Sequence, residues 1–185
     1  LYLLLVPAVA MRLWAEERKT GTIELLMTLP VTPGEAMFGK FLAAWAFIGL
    51  ALLLTVPMWI TVNLLGTPDN GIILAGYLGS FLMAGGFLAI GSFVSALTKN
   101  QVIAFIIAAL ISFLFTMSGL EMVQNTLQAW TPEAVSSAVG AMSFLSHFER
   151  ITRGVVDLPT LVFFVSMISF WLFATVVAIG QTKAQ

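Results

Sequence analysis

Apolar stretches long enough to cross a bilayer alternate with short polar breaks along the chain. A spanning helix needs about 20 mostly apolar residues. Four segments reach that length: 41–65, 72–97, 101–120 and 159–180. Residues 1–13 have the character of the end of a further span, and Pro57 is expected to kink the first complete one. The pattern predicts an all-α, polytopic bundle of transmembrane helices.

The polar breaks carry signals for where helices start. Thr32-Pro33-Gly34-Glu35 has the form of a capping box with proline at the first helical position, which extends the first complete span to 33–65. Residues 66–71 form a turn of helix-breaking residues, and Asn100 can cap the span that follows the turn 98–100. Spans joined by turns this short are antiparallel neighbours.

Composition agrees with a lipid environment. The chain has 185 residues, of which 59% are hydrophobic and 9% charged, with a mean hydropathy of +1.01. Soluble domains carry about 25% charged residues. The net charge of −1 argues against a nucleic-acid-binding surface, and the absence of cysteine excludes disulfides and thiolate metal sites. A bilayer is therefore the expected solvent.

The distribution of Lys and Arg predicts an orientation. The cytoplasmic side of a membrane protein is enriched in these residues. With segment 14–31 placed there, that side holds six of the eight: Arg12, Arg18, Lys19, Lys40, Lys99 and Lys183. We expect a multi-pass protein of the cell inner (plasma) membrane with a cytoplasmic C-terminus. Because Leu1 already lies in an apolar run without a basic stretch before it, we also expect residues upstream.

Segment 121–158, on the outer side, is too interrupted by polar residues to span. Thr131-Pro132-Glu133 nevertheless has the form of a helix start, and 134–148 is apolar enough for one helix. We expect this helix to lie at the outer interface or to enter the membrane as a re-entrant element.

The cytoplasmic segment 14–31 has an unusual order of residues. Four consecutive charges at 16–19 are followed by a Thr20-Gly21-Thr22 turn and a short helix that ends before Pro30. This helix is partly apolar but too short to span. The residues alone leave two interpretations open: it occupies a groove of a partner protein, or it lies on the lipid surface.

The run Glu-Glu-Arg-x-x-Gly-Thr-Ile-Glu-Leu-Leu-x-Thr-Leu-Pro-Val at 16–31, followed by Gly39-Lys40-Phe41, resembles the signature of type-2 ABC exporter permeases. The resemblance is strongest to the gliding-motility, sodium-export and copper-enzyme-maturation permeases. It implies a six-span fold whose first span is missing here, a re-entrant hairpin before the last span, and a cytoplasmic coupling helix that fits a cleft of the ATPase.

The resemblance also implies partners and contact residues. The partners are an ABC ATPase subunit, which uses ATP and Mg²⁺, and a second permease subunit, identical or related. The candidate coupling residues are Glu16, Glu17, Arg18, Gly21, Thr22, Glu24 and Leu25. Arg18 could pair with a carboxylate of the ATPase. The alternative is that 16–19 is a solvated charge cluster that anchors the end of a span.

Small residues recur along segment 72–97 and allow close helix contacts. We assign helix packing to Gly76, Ser80, Gly85, Gly86 and Gly91. A role in the translocation path or in dimerisation is the alternative.

Three other function classes were weighed against an exporter permease. An intramembrane enzyme needs a nucleophile and base or paired carboxylates at membrane depth, and we assign no catalytic, cofactor-binding or metal-ligating residue. No Gly-x-x-x-x-Gly-Lys-Ser/Thr run occurs, so energy from ATP must come from a partner chain. An ATP-independent secondary transporter or channel, or a membrane anchor in a larger complex, remains as the alternative.

Overall fold

The computed structural model describes residues 1–23, 30–154 and 156–182, and within them it is helical without strands. The described helices in chain order are α1 (Tyr2–Ala10), α2 (Arg12–Thr20), α3 (Pro33–Leu53), α4 (Val56–Leu65), α5 (Asn70–Leu97), α6 (Gln101–Met117), α7 (Glu121–Trp130), α8 (Glu133–Ala141), α9 (Phe144–Thr152) and α10 (Leu158–Thr182). The predicted all-α, polytopic fold is confirmed.

Helix α5 is the centre of the bundle. It contacts α1, α2, α3, α6, α9 and α10. From Met83 to Ala96 nearly every residue of α5 is buried, on all sides of the helix. A helix surrounded in this way needs small residues where neighbours come close, and glycine, alanine and serine make up much of this stretch.

Among the described residues, three helical segments are long and apolar enough to cross a membrane: Pro33–Leu65, Asn70–Leu97 and Leu158–Gln181. A fourth candidate is α6 together with α7, a pair bent by 83°. Many large apolar side chains on α3, α4 and α10 are exposed, among them Leu53, Leu65 and Phe173. In water such a surface would be unstable, whereas in a bilayer it contacts acyl chains. The chain is therefore a multi-pass membrane protein.

The predicted helix starts are present. Thr32 Oγ1 accepts from the Glu35 N–H at 3.3 Å, while a Glu35 carboxylate oxygen accepts from the Thr32 N–H at 2.8 Å, which completes the capping box. Asn100 caps α6 by accepting from the Val102 N–H at 3.0 Å. The first complete span also breaks as expected: α3 ends at Leu53 and α4 begins at Val56, just before Pro57.

We expect Thr32→Ala to destabilise the N-terminus of α3. The substitution removes the side-chain acceptor and half of the capping box, which costs about 1 kcal/mol. Thermal unfolding in detergent measures this loss, and Thr32→Ser, which keeps the hydroxyl, is the control. A Thr32→Ala protein as stable as the Thr32→Ser protein would contradict the role of the cap.

Two stretches differ from the expected layout. The helix expected over 134–148 is divided into α8 and α9, because the Ser143 hydroxyl accepts from the Ser146 N–H at 3.3 Å and starts a new helix. The charged residues 16–19 follow the expected span end at Leu13 without a loop, because α2 continues through them to Thr20. The charges therefore lie on a rigid element.

Candidate functional site

Helix α2 is attached to the centre of the bundle through one hydroxyl group. Ser95 Oγ accepts from the N–H groups of Trp14 at 3.0 Å and Ala15 at 2.9 Å, and it donates to the Met11 carbonyl at 3.0 Å. In a regular helix the Ala15 N–H would bond to the Met11 carbonyl. The buried Ser95 hydroxyl takes the place of that bond. A side chain of α5 therefore completes the backbone hydrogen bonding where α1 meets α2.

Arg18 makes a second attachment to α5. Its guanidinium Nη1 donates to the carbonyl of Ala96, in the last turn of α5. The last carbonyls of a helix lack intrahelical partners and carry partial negative charge, so a cation there is favourable. Arg18 therefore stabilises the C-terminus of α5 and holds the charged end of α2 against it.

Lys40 connects α2 to α3. Its ammonium group forms an ion pair with a Glu17 carboxylate oxygen, donates to the Leu13 carbonyl at 2.8 Å, and lies 4.3 Å from the centre of the Trp14 ring. The Lys40 and Glu17 side chains are 24% and 26% exposed. A charge this far into an apolar helix is stable only with such partners.

The chain turns sharply after α2. Gly21 has φ of +75°, a conformation that glycine adopts without steric cost, and a Cβ at this position would meet no atom within 4 Å. The Thr20 hydroxyl donates to the Glu16 carbonyl at 3.0 Å and lies 2.9 Å from the Thr22 hydroxyl. The left-handed conformation of Gly21 ends α2 at this point.

The predicted coupling residues fall into three groups. Glu16, Gly21 and Thr22 are exposed. Glu17 and Arg18 are half-buried and paired within the chain, so Arg18, for which a carboxylate of the ATPase is the predicted partner, already binds the Ala96 carbonyl. Glu24 and Leu25, with the short helix expected before Pro30, lie outside the described residues.

Some of the predicted packing residues of α5 lie in close contact with neighbouring helices, and others face open space. A Cβ on Gly85 would lie 3.0 Å from both Trp45 and Ile168, and a Cβ on Gly86 or Gly91 would overlap Phe144 or Ala10. Gly76, in contrast, has no atom within 4 Å of its Cβ direction, and it lines an open pocket together with Ser80.

Several residues that shape the site were not assigned a role from the sequence. From the sequence, Lys40 enters only through the charge distribution and the Gly39-Lys40-Phe41 match, although a cation at the edge of an apolar stretch indicates a partner within the chain. Gly79, whose Cβ would lie 3.0 Å from Ile151, belongs to the same series of small residues as Gly85. No local signal marks Trp14 or Ser95 as attachment points, since their partners are about 80 residues apart in sequence.

His147 is part of the packing of α9. Its ring stacks on Phe163 with 3.9 Å between centres, and Nδ1 lies 2.9 Å from the Ser143 carbonyl. Burial lowers the pKa of His147 from its ordinary value, and the positive charge of Arg150 acts in the same direction, against the opposing hydrogen bond. The neutral ring is thus favoured against Phe163.

We expect Lys40→Met to destabilise the protein by about 1–3 kcal/mol, because it leaves the half-buried Glu17 carboxylate without its cation. The loss should be partly recovered in Lys40→Met with Glu17→Gln, where no uncompensated charge remains. Thermal unfolding in detergent of the two single variants and the double variant gives the coupling between the residues. Additive effects of the two substitutions would show that the ion pair contributes nothing.

Comparison with known proteins supplies the family. A family profile described as "ABC-2 family transporter protein" matches residues 4–179, which include every described helix at least in part. No curated protein matches the chain. No solved structure matches it either. Since the match covers nearly the whole helical bundle, the chain belongs to the ABC-2 family of transporter proteins, the membrane permeases of ABC transporters.

Proposed function

We propose that this chain is the permease subunit of an ABC exporter that receives movement from a separate ATPase subunit through residues 16–30. One observation carries the proposal: α2 is fixed to the central helix by Ser95 at Trp14 and Ala15 and by Arg18 at its charged end. A contact that only anchored a span end at the membrane surface would not need buried hydrogen bonds to the core of the bundle.

The proposed coupling path has an exposed end and a buried end. Glu16 and Thr22 are exposed on either side of the turn at Gly21, where an ATPase surface can reach them. Behind them, Arg18 binds the Ala96 carbonyl of α5 and Ser95 of α5 binds the start of α2, and α5 in turn contacts five further helices. Displacement of the segment by nucleotide-driven closure of the ATPase would therefore move α2 and α5 as one body. ATP and Mg²⁺ are used in the partner subunit.

The charge distribution supports a cytoplasmic location for this end of the bundle. Lys19 and Lys99 line one pocket at the turn between α5 and α6, and Arg18 and Lys40 lie at the same end. Lys and Arg are enriched on the cytoplasmic side. The proposal thus includes an inner-membrane protein with a cytoplasmic C-terminus, and a second permease subunit that completes the path.

Association with the ATPase tests the proposal. The full-length chain is co-purified with its candidate ATPase subunit, and the double variant Glu16→Ala, Thr22→Ala is compared with Arg153→Ala, which removes an exposed charge from the segment after α9. We expect the double variant to weaken association by roughly tenfold, as loss of an interface contact of about 1.4 kcal/mol would. The Arg153→Ala protein should bind normally. If no ATPase co-purifies, or if both variants behave alike, the coupling assignment is wrong.

A further inference from the structure

A groove between α3 and α5 has two parts: an apolar lower part, and an upper part next to the break between α3 and α4 that is lined by hydroxyl-bearing residues. Its lower part, of about 520 Å³, is lined almost entirely by apolar side chains, including Leu50, Leu74 and Phe81. Its upper part, of about 390 Å³, is lined by Tyr2, Thr55 and Ser80 together with apolar residues. Leu52 and Tyr77 line both parts, so the two spaces adjoin.

Four hydroxyl groups meet in the upper part. The Thr55 and Tyr77 hydroxyls are 2.7 Å apart, and Tyr2 and Ser80 line the same space. The Tyr77 ring is held in place by Trp59, which stacks on it with 5.8 Å between ring centres. Thr55 donates its proton to the Leu52 carbonyl, so Tyr77 is the donor in the Thr55–Tyr77 pair, and both oxygens keep lone pairs that can accept a hydrogen bond from a ligand hydroxyl.

The break between α3 and α4 lies at this cluster. Thr55 is between the two helices, and its hydroxyl also donates to the Leu52 carbonyl at 2.6 Å. Irregular backbone at membrane depth occurs where it is buried in protein or lines a cavity. Here it borders the hydroxyl-lined part of the groove, while Leu50, Leu53, Leu74 and Leu78 leave the lower part open towards lipid.

None of the described residues that line either part of the groove carries a charge. An anionic or cationic head group would lose its hydration there without gaining a partner. A neutral head group with a hydroxyl can donate to the Thr55 and Tyr77 oxygens, and an acyl chain would fit the apolar part. Both volumes lie in the range of small-molecule sites.

We propose that this groove is a binding site for a neutral lipid-like amphiphile, with its head-group hydroxyl at Thr55 and Tyr77, beside Ser80, and its acyl chain between α3 and α5. The site is separate from the coupling segment, and its occupancy does not depend on an ATPase.

Gly76 offers a way to close the site without disturbing the protein. It lines the upper part, and a Cβ there would meet no atom within 4 Å. Gly76→Leu should therefore fill space that belongs to the ligand and leave the unfolding temperature at or above that of the wild type. Gly180→Leu is the matched control, because Gly180 lies in α10, has equally open surroundings and lines neither part of the groove.

The test is photolabelling of the full-length protein in nanodiscs with a photoreactive diacylglycerol. We expect the label on residues of α3–α5 that line the groove, and we expect Gly76→Leu to lose most of it while Gly180→Leu keeps it. Tyr77→Phe, which removes one neutral hydrogen bond, should weaken labelling about fivefold. Unlabelled diacylglycerol should compete, whereas phosphatidylglycerol and hexadecane should not.

Three outcomes would overturn the proposal. Equal labelling of Gly76→Leu and Gly180→Leu would mean that the probe does not occupy the groove. If phosphatidylglycerol competed as strongly as diacylglycerol, the site would not distinguish a neutral head group from an anionic one. A photoreactive residue at position 76 that crosslinks to protein rather than lipid would mean that another segment of polypeptide covers the groove. Since no ATPase is present, none of these results bears on the proposed coupling function.

Discussion

Gly86→Leu and Gly91→Leu should each leave little folded protein, because both positions are occupied by the side chain of a neighbouring helix. A Cβ on Gly86 would overlap the Phe144 ring of α9, and a Cβ on Gly91 would overlap Ala10 of α1. Phe144 and Ala10 are fully buried and cannot move away without opening the core. Overpacking of this kind costs about 3 kcal/mol or more when four carbons are added. The measurements are yield and thermal unfolding in detergent.

Gly39→Leu is the control for these two variants. Gly39 lies in α3, and a Cβ there would meet no atom within 4 Å, so the leucine extends into open surroundings. This variant should fold at least as well as the wild type, since replacing a helical glycine is itself favourable by about 0.5–1 kcal/mol. If Gly86→Leu and Gly91→Leu were as stable as Gly39→Leu, the close contacts of α5 with α1 and α9 would be wrong.

The parts of the fold that could be predicted from sequence depend on local chemistry. The capping box at Thr32 and the cap at Asn100 act within three residues, and both are present. The break before Pro57 follows from two local properties of proline: it has no backbone N–H to donate, and its ring clashes with the carbonyl of the preceding turn. The length of the apolar segments is enough to indicate the spans, because the thickness of the bilayer sets the length that a spanning helix must have.

The parts that could not be predicted depend on contacts between distant residues. Whether 16–19 forms a loop or a helix is decided by Ser95 and Ala96, about 80 residues away, which hold α2 in place. The division of 134–148 at Ser143 accompanies a bond from its hydroxyl to the Thr116 carbonyl at 3.2 Å. For Gly76 and Gly86, the sequence gives the same residue type, and only the positions of neighbouring helices distinguish open space from close contact.

The coupling site shows the same division between local and distant signals. The turn at Gly21 could be predicted, since the residue takes the left-handed conformation that glycine favours. The roles of Glu17 and Arg18 could not, because their partners Lys40 and Ala96 come from other helices. The charge run thus combines the exposed Glu16 with Glu17 and Arg18, which are paired within the chain, and neither of the two sequence interpretations described this mixture.

Arg18→Gln and Ser95→Ala should uncouple the transporter while the ATPase stays bound. Each substitution removes an attachment of α2 to α5 but leaves the exposed residues Glu16 and Thr22 unchanged. Movement of the coupling segment would then be absorbed at the loosened contact and would reach the bundle weakly. Coupling free energies between sites are typically 1–3 kcal/mol, so we expect the stimulation of ATP hydrolysis by the permease to fall by about tenfold.

Two measurements on the same purified complexes, association with the ATPase and stimulation of ATP hydrolysis, distinguish the attachment of α2 to α5 from the contact with the ATPase. Arg18→Gln and Ser95→Ala should co-purify with the ATPase as the wild type does and lose stimulation, whereas Glu16→Ala with Thr22→Ala should lose association itself. Arg18→Lys, which keeps a cation at the C-terminus of α5 but not the guanidinium geometry, should retain part of the stimulation. Thermal unfolding checks that each variant is folded at the assay temperature. If Arg18→Gln lost association in step with stimulation, Arg18 would contact the ATPase directly, and the attachment of α2 to α5 would not be the path by which movement enters the bundle.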